Sequence, residues 1–144
     1  MTTAATESSI FSDRAVVPWP EDEVLEFMSP FAKKYATAYD SLYKGKDYTH
    51  EVKVIQKIIN KYEPGTKTIL DYGCGTGNHA AILSLKGYDL YCIDKNIHML
   101  NIARRKNKTK KNIHFYSTAK RDLTGQDSVD TCITLFDVIS YMNT

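Results

Sequence analysis

Few cysteines, little net charge and the lack of any long hydrophobic run each close off a class of protein. Cys74, Cys92 and Cys132 are odd in number and have no metal-ligand spacing, so neither a disulfide framework nor a zinc site is expected. They read as reduced, mostly buried thiols. Nineteen Lys and Arg against seventeen Asp and Glu leave a formal charge of +2, too small to imply a polyanionic partner. No segment approaches the run of about eighteen apolar residues that a membrane-spanning helix needs. The N-terminal stretch carries Glu7 and Asp13 and has no continuous apolar core of a secretion signal. The expected setting is cytoplasmic, without a membrane partner. No internal repeat or low-complexity tract is present, so a solenoid is excluded as well.

What is there is a 144-residue chain, 42% hydrophobic, which suits one domain or part of one. Residues 1–20, rich in small and polar types and ending in two prolines around Trp19, read as a loose arm. Residues 21–65 read as a helical segment. Within it Val24, Leu25, Met28, Phe31, Tyr35, Tyr39, Leu42 and Tyr43 recur at helical spacing, giving two short helices parted at Pro30. "KDYTHEVKVIQKIINKYEPG" is one amphipathic helix with Val52, Ile55, Ile58 and Ile59 on its apolar face, closed by Pro64 and Gly65.

From residue 66 to 144 the period changes. Apolar runs at Thr68 to Tyr72, Tyr88 to Ile93, Ile113 to Tyr116 and Thr131 to Phe136 predict strands, and Asn78 to Lys86 and Asn96 to Lys106 predict helices between them. That alternation implies a parallel sheet with right-handed crossovers. The link "TAKRDLTGQDS" before the fourth strand reads as loop.

The first strand runs into "TILDYGCGTGNHA", where Gly73, Gly75 and Gly77 stand at alternate positions. Glycines there let the backbone turn sharply and approach a ligand without a Cβ in the way, while the following helix offers free N–H groups to an anion. The place matters, because ligands of open parallel sheets bind beyond the carboxyl ends of the strands. Asp94, about twenty residues on and at the end of the second strand, is positioned to accept ribose hydroxyls. A dinucleotide loop would read G-x-G-x-x-G, whereas here the pattern is G-x-G-x-G, preceded by Asp71.

"LDYGCGTG" followed by "CID" resembles motifs one and two of the class I S-adenosylmethionine-dependent methyltransferases. "YDSLYKGKDYTHE", "DKNIHMLNIARR" and "LFDVISYM" resemble the small-molecule branch that includes sugar amine N-methyltransferases, over roughly Phe31 to Met142. The resemblance implies a Rossmann-like α/β fold: a parallel sheet of order 3-2-1-4 with helices on both faces, an N-terminal helical lid, and later strands missing from the chain. It implies S-adenosylmethionine as cofactor, with Asp71, Gly73, Cys74, Gly75 and Gly77 at the methionine end and Asp94 and Lys95 at the ribose. Tyr43, Ala119, Lys120 and Leu135 complete the implied cofactor set. Where the family often reads G-D-x-R-D, this chain has "STAKRDL", which puts Ala119 where the adenine acceptor would stand. The Lys120 backbone and Asp122 are then the candidates to take over, unless adenine is held more loosely.

Other features carry plainer readings. Tyr35 and Tyr39 suit a core-facing aromatic stripe, and for Tyr43 that reading stands level with a place beside the donor. His79, His98 and His114 share no metal-ligand spacing and read as surface or capping residues. Cys74 is a small residue in a tight loop and not a nucleophile. "RRKNKTKK" falls at a helix C-terminus, where cations complement the macrodipole, and lacks interleaved aromatics for stacking on bases. A small-molecule acceptor with an amine or hydroxyl is therefore favoured over nucleic acid, and a homo-oligomer stays open. The alternatives are a non-catalytic binding module of this fold, an RNA methyltransferase and a nucleotide-dependent oxidoreductase. The apolar fourth strand suggests burial on both faces, and the chain ends without a capping signal. These residues are thus expected to be the N-terminal part of a longer enzyme that alone binds cofactor weakly, associates and does not turn over.

Overall fold

A computed structural model describes residues 30–117 and 129–135. The arm at 1–20, the helix expected before Pro30, the segment with Ala119 and Lys120, and residues 136–144 lie outside the described residues. Helix α1 spans Pro30–Leu42. Pro30, expected to break a helix, begins one instead, at the position where its missing N–H is not needed. Helix α2 spans Tyr48–Tyr62 and is capped by Asp47, whose Oδ1 accepts from the His50 N–H at 2.8 Å. It buries Val52, Ile55 and Ile59. Ile58, expected on the same face, is 54% exposed.

The α/β part follows as β1 Thr68–Tyr72, α3 Asn78–Leu85, β2 Asp89–Ile93, α4 Ile97–Lys106, β3 Ile113–Tyr116 and β4 Thr131–Ile133. All pairings are parallel, in the order β3-β2-β1-β4. The order places β1 beside the strand that follows it and the strand that ends the described chain, so the chain reverses direction at β1 and a crevice opens at its carboxyl end. In register, Asp71 stands between Cys92 on one side and Ile133 on the other.

Alternate strand residues face opposite sides of the sheet. Ile69, Leu90, Cys92 and Ile113 join Val52, Ile55 and Ile59 of α2, Ala80 and Leu83 of α3 and Leu100 of α4 in the main core. Two successive crossovers in one direction put α3 and α4 on that same face. Leu70, Tyr91 and Ile93 form a smaller cluster on the opposite face with Tyr72, Tyr116 and Val129. Each fully buried aliphatic side chain of the main core contributes about 1.5–3 kcal/mol. Helix α1 packs on α4 and α2 on α3, and the buried Ala32 and Ala36 let α1 come close.

Strand β4 departs from expectation. It is three residues long, and Cys132 is exposed while Thr131 and Ile133 are half-buried. Pairing with β1 on one side only leaves its other edge uncovered among the described residues, so neither a doubly buried strand nor a buried third thiol results. Its start is fastened by Asp130, whose Oδ2 accepts from the Lys67 N–H, the Thr68 N–H and the Thr68 hydroxyl, each at 2.8 Å. No described helix is long and apolar enough to cross a membrane.

Candidate functional site

The loop after β1 hangs from the end of β2. The N–H groups of Gly73 and Cys74 both donate to the Ile93 carbonyl, at 2.8 and 2.9 Å. The next N–H, that of Gly75, donates to Asp94 Oδ2 at 2.8 Å, and Asp94 Oδ1 accepts from the Asn96 N–H at 2.8 Å. Asn96 in turn caps α4 by accepting from the N–H groups of His98 and Met99. One carboxylate thus ties the glycine loop to the start of α4. Each of its oxygens has a second lone-pair site for a further donor.

The glycines do different work. Gly73, Gly75 and Gly77 all adopt positive φ, at 86°, 55° and 75°, which only glycine adopts freely. A Cβ on Gly75 would meet nothing within 4 Å, so open space lies in front of it. A Cβ on Gly77 would meet Asn107 Nδ2 at 3.1 Å, Ala103 Cβ at 3.2 Å and Phe115 Cζ at 3.3 Å. Gly75 therefore lines a cradle, and Gly77 is the closure that lets the loop pack on α4. Gly77 also stands at the N-cap of α3 with no side-chain cap, so that helix end keeps its positive character.

Two acids converge beneath the loop. Asp71 is 2% exposed, and among the described residues no donor reaches its carboxyl. Burial, reinforced by the charge of Asp94, pushes its pKa up to about 7. Burial also raises Asp94, against which the N–H bonds from Asn96 and Gly75 and the charge of Lys95 pull the other way. A buried acid lacking a donor is a costly feature that a cation in the cradle would relieve. Cys74 and Cys92 are buried thiols whose pKa values burial raises, so neither is a nucleophile at neutral pH.

Helix α1 brings aromatic rings to this end of the sheet. Tyr39 and Tyr43 are half-buried with ring centroids 4.7 Å apart, and Tyr35 meets Tyr39 edge-on at 5.7 Å. Burial raises the Tyr39 phenol, and Asp94 is among the charges that add to the shift, which locates that ring on the loop side. Tyr35 is 39% exposed, so the expected core-facing stripe does not include it. Lys95 is half-buried beside Asp94, and Leu135 is half-buried against the main core.

Several residues at the site gave no signal in the sequence. Asp40 of α1 accepts from the Thr76 hydroxyl at 2.6 Å, from Asn78 Nδ2 at 3.1 Å and from Lys106 Nζ at 2.7 Å. His79, expected at the surface, is 7% exposed, and its Nε2 lies 2.6 Å from Glu51 Oε2, which also pairs with Lys46 at 3.1 Å. Burial lowers His79, so the ring is neutral and its Nε2–H donates to the carboxylate. Burial opposes ionisation of Glu51, but the bonds from His79 and Lys46 outweigh it and hold the acid below its ordinary range. Each of these residues found its partner on another helix, which local periodicity cannot show. Asp40, the acid within "Y-D-x-x-Y", was the one legible hint. No group of three or more His, Cys, Asp or Glu among the described residues is arranged to hold a metal ion.

Comparison with known proteins agrees with this geometry. Residues 69–144 match the family described as "Methyltransferase domain". A protein of Geobacillus sp. (strain WCH70), named as a methyltransferase without a substrate, is 34% identical over 113 residues, 76% of this chain and 45% of its own length. The dTDP-3-amino-3,6-dideoxy-alpha-D-glucopyranose N,N-dimethyltransferase of Streptomyces fradiae is 32% identical over 79 residues, 54% of this chain and 31% of its own length. Among solved structures, Streptomyces venezuelae DesVI superposes with a TM-score of 0.63 at 26% identity, over 76% of this chain and 46% of that one. The sugar N-methyltransferase KedS8 of Streptoalloteichus sp. superposes at 0.55 with 29% identity, over 72% and 41%. The chain spans less than half the length of these relatives. By that match and by the order of its sheet, the chain belongs to the class I S-adenosylmethionine-dependent methyltransferase family.

Proposed function

We propose that this chain binds S-adenosylmethionine in the cradle at Gly75 and supports methyl transfer to an amine or hydroxyl of a small molecule. The observation that carries the reading is the open space before Gly75, set against a carboxylate, Asp94, that has acceptor sites to spare. Asp94 would hold the ribose hydroxyls, with Lys95 beside it. Asp71, Gly73, Cys74 and Gly77 would shape the methionine end, where the buried acid without a donor favours a cationic group. Tyr43 would stand beside the sulfonium, a placement its half-buried ring on the loop side of α1 supports. Leu135 would close the apolar wall, and Ala119 and Lys120 would flank the adenine.

When bound, the cofactor supplies an activated methyl on a sulfonium, which an amine or hydroxyl displaces in line while the neutral thioether leaves. The chain's own residues have no bond to make in that step. They orient the donor by fixed hydrogen bonds and keep water out through the tyrosines of α1. An amine is the favoured acceptor, because two relatives above 30% identity are named as N,N-dimethyltransferases of dTDP-linked amino sugars. The basic run supports an RNA acceptor less, since Lys106 is paired with Asp40 and Arg104 donates to the Phe115 carbonyl at 3.1 Å. The test is release of S-adenosylhomocysteine when nucleotide-linked amino sugars, hydroxylated small molecules and RNA are each offered with the donor. Release with an amino sugar alone is the expected result, and release with RNA alone would overturn the choice of acceptor.

A further inference from the structure

The loop that would cradle the cofactor is held at one point by helix α1. Between Gly75 and Gly77, both at positive φ and both without a side chain, stands Thr76, which is 1% exposed. Glycines flanking a single residue leave the turn the widest backbone freedom available, so the Thr76 side chain is the handle by which the rest of the protein can fix it. That hydroxyl donates to Asp40 Oδ1 at 2.6 Å and lies within 3.3 Å of Asn78 Nδ2 and 3.4 Å of Lys106 Nζ. Asp40 Oδ2 accepts from Lys106 Nζ at 2.7 Å. Four elements meet there: α1 through Asp40, the loop through Thr76, the start of α3 through Asn78 and the end of α4 through Lys106.

The ion pair by itself is too exposed to matter much, with side chains 38% and 32% accessible. The hydrogen bond to the buried hydroxyl is the strong link, because its loss leaves a buried donor unpaired. Asp40 also stands next to Tyr39 and one helical turn before Tyr43, so docking it seats both rings over the loop end.

We propose that Asp40 is a positioning residue that clamps α1 to the donor loop through Thr76, setting the shape of the Gly75 cradle and the seat of the α1 tyrosines together. The clamp itself is a matter of this chain's geometry, and its effect on cofactor affinity rests on the reading of the site given above. Burial opposes ionisation of Asp40, but the bonds from Lys106, Thr76 and Asn78 outweigh it and keep the carboxylate ionised, as the clamp requires.

The experiment compares the full chain with Asp40→Ala, Asp40→Asn, Thr76→Val and the Asp40→Ala/Thr76→Val pair. Amide hydrogen exchange at Gly75 and Gly77 is followed by NMR without cofactor, and S-adenosylmethionine affinity by calorimetry. Asp40→Ala and Thr76→Val should each speed exchange at both glycines and weaken cofactor binding about tenfold, the equivalent of one hydrogen bond to a charged group. The pair should be no worse than either alone, since both break one link. Asp40→Asn, whose Oδ1 still accepts from Thr76, should recover most of the affinity, a rescue that loss of general stability would not give. Unchanged exchange in both single variants, or additive losses in the pair, would overturn the clamp. Faster exchange in a chain that binds no S-adenosylmethionine at all would uphold the clamp and overturn the cofactor reading instead.

Discussion

Asp94 and Asp71 were legible from their places at strand ends, but their partners were not. The sequence placed Asp94 as a ribose acceptor, whereas the structure adds that the same carboxylate holds the Gly75 and Asn96 N–H groups. Asp94→Ala should therefore cost about 2–4 kcal/mol of cofactor affinity, through lost charge-assisted bonds and a loosened loop. Calorimetry on the folded variant checks it, and unchanged affinity would remove Asp94 from the site. Asp71 makes a pH prediction. Its pKa rises from 3.8 to about 7 on folding, so the native state holds a proton that the unfolded state has lost, and stability falls as pH rises through that window. Asp71→Asn should gain on the parent protein across the same range, by at most about 4 kcal/mol, and the gain should level off above it. Denaturant unfolding from pH 4 to 8 measures this, and a difference independent of pH would contradict it. His79 and Asp40 were misjudged or passed over because the partners that define them come from other helices.

At the level of elements, the period of the apolar residues found β1, β3, α2, α3 and α4 to within a residue or two, because each buries one side against the same core. Pro30 was harder, since a proline both breaks a helix and begins one, and only its neighbours decide which. Strand β4 was overextended because an apolar run tells composition, while ladder length depends on how many residues of β1 remain to pair. The glycine loop separates two roles that spacing alone could not. Gly75→Val should keep the fold, at a cost of about 1–2 kcal/mol for a side chain at positive φ, and abolish cofactor binding. Gly77→Ala should destabilise more, since its Cβ meets three atoms between 3.1 and 3.3 Å. Unfolding curves and binding of the two variants side by side decide it, and equal destabilisation would undo the distinction.

For the whole molecule, the sheet order follows from short parallel connections and right-handed crossovers, and alternating elements were enough to anticipate it. Surface apolarity was less legible. Val54, Ile58 and Tyr62, four residues apart on α2, are 43%, 54% and 71% exposed, and β4 leaves an uncovered edge among the described residues. We expect concentration-dependent self-association of this chain, read by sedimentation, and a monomer at every concentration would contradict it. The cradle at Gly75 ties these scales together, because sheet order, loop and acids all converge on it. Equilibrium calorimetry of this chain with S-adenosylmethionine, S-adenosylhomocysteine and NAD is the direct test. The first two should be preferred over NAD by at least about tenfold, since the loop lacks the glycine spacing that seats a pyrophosphate, and NAD bound as well or better would contradict the account.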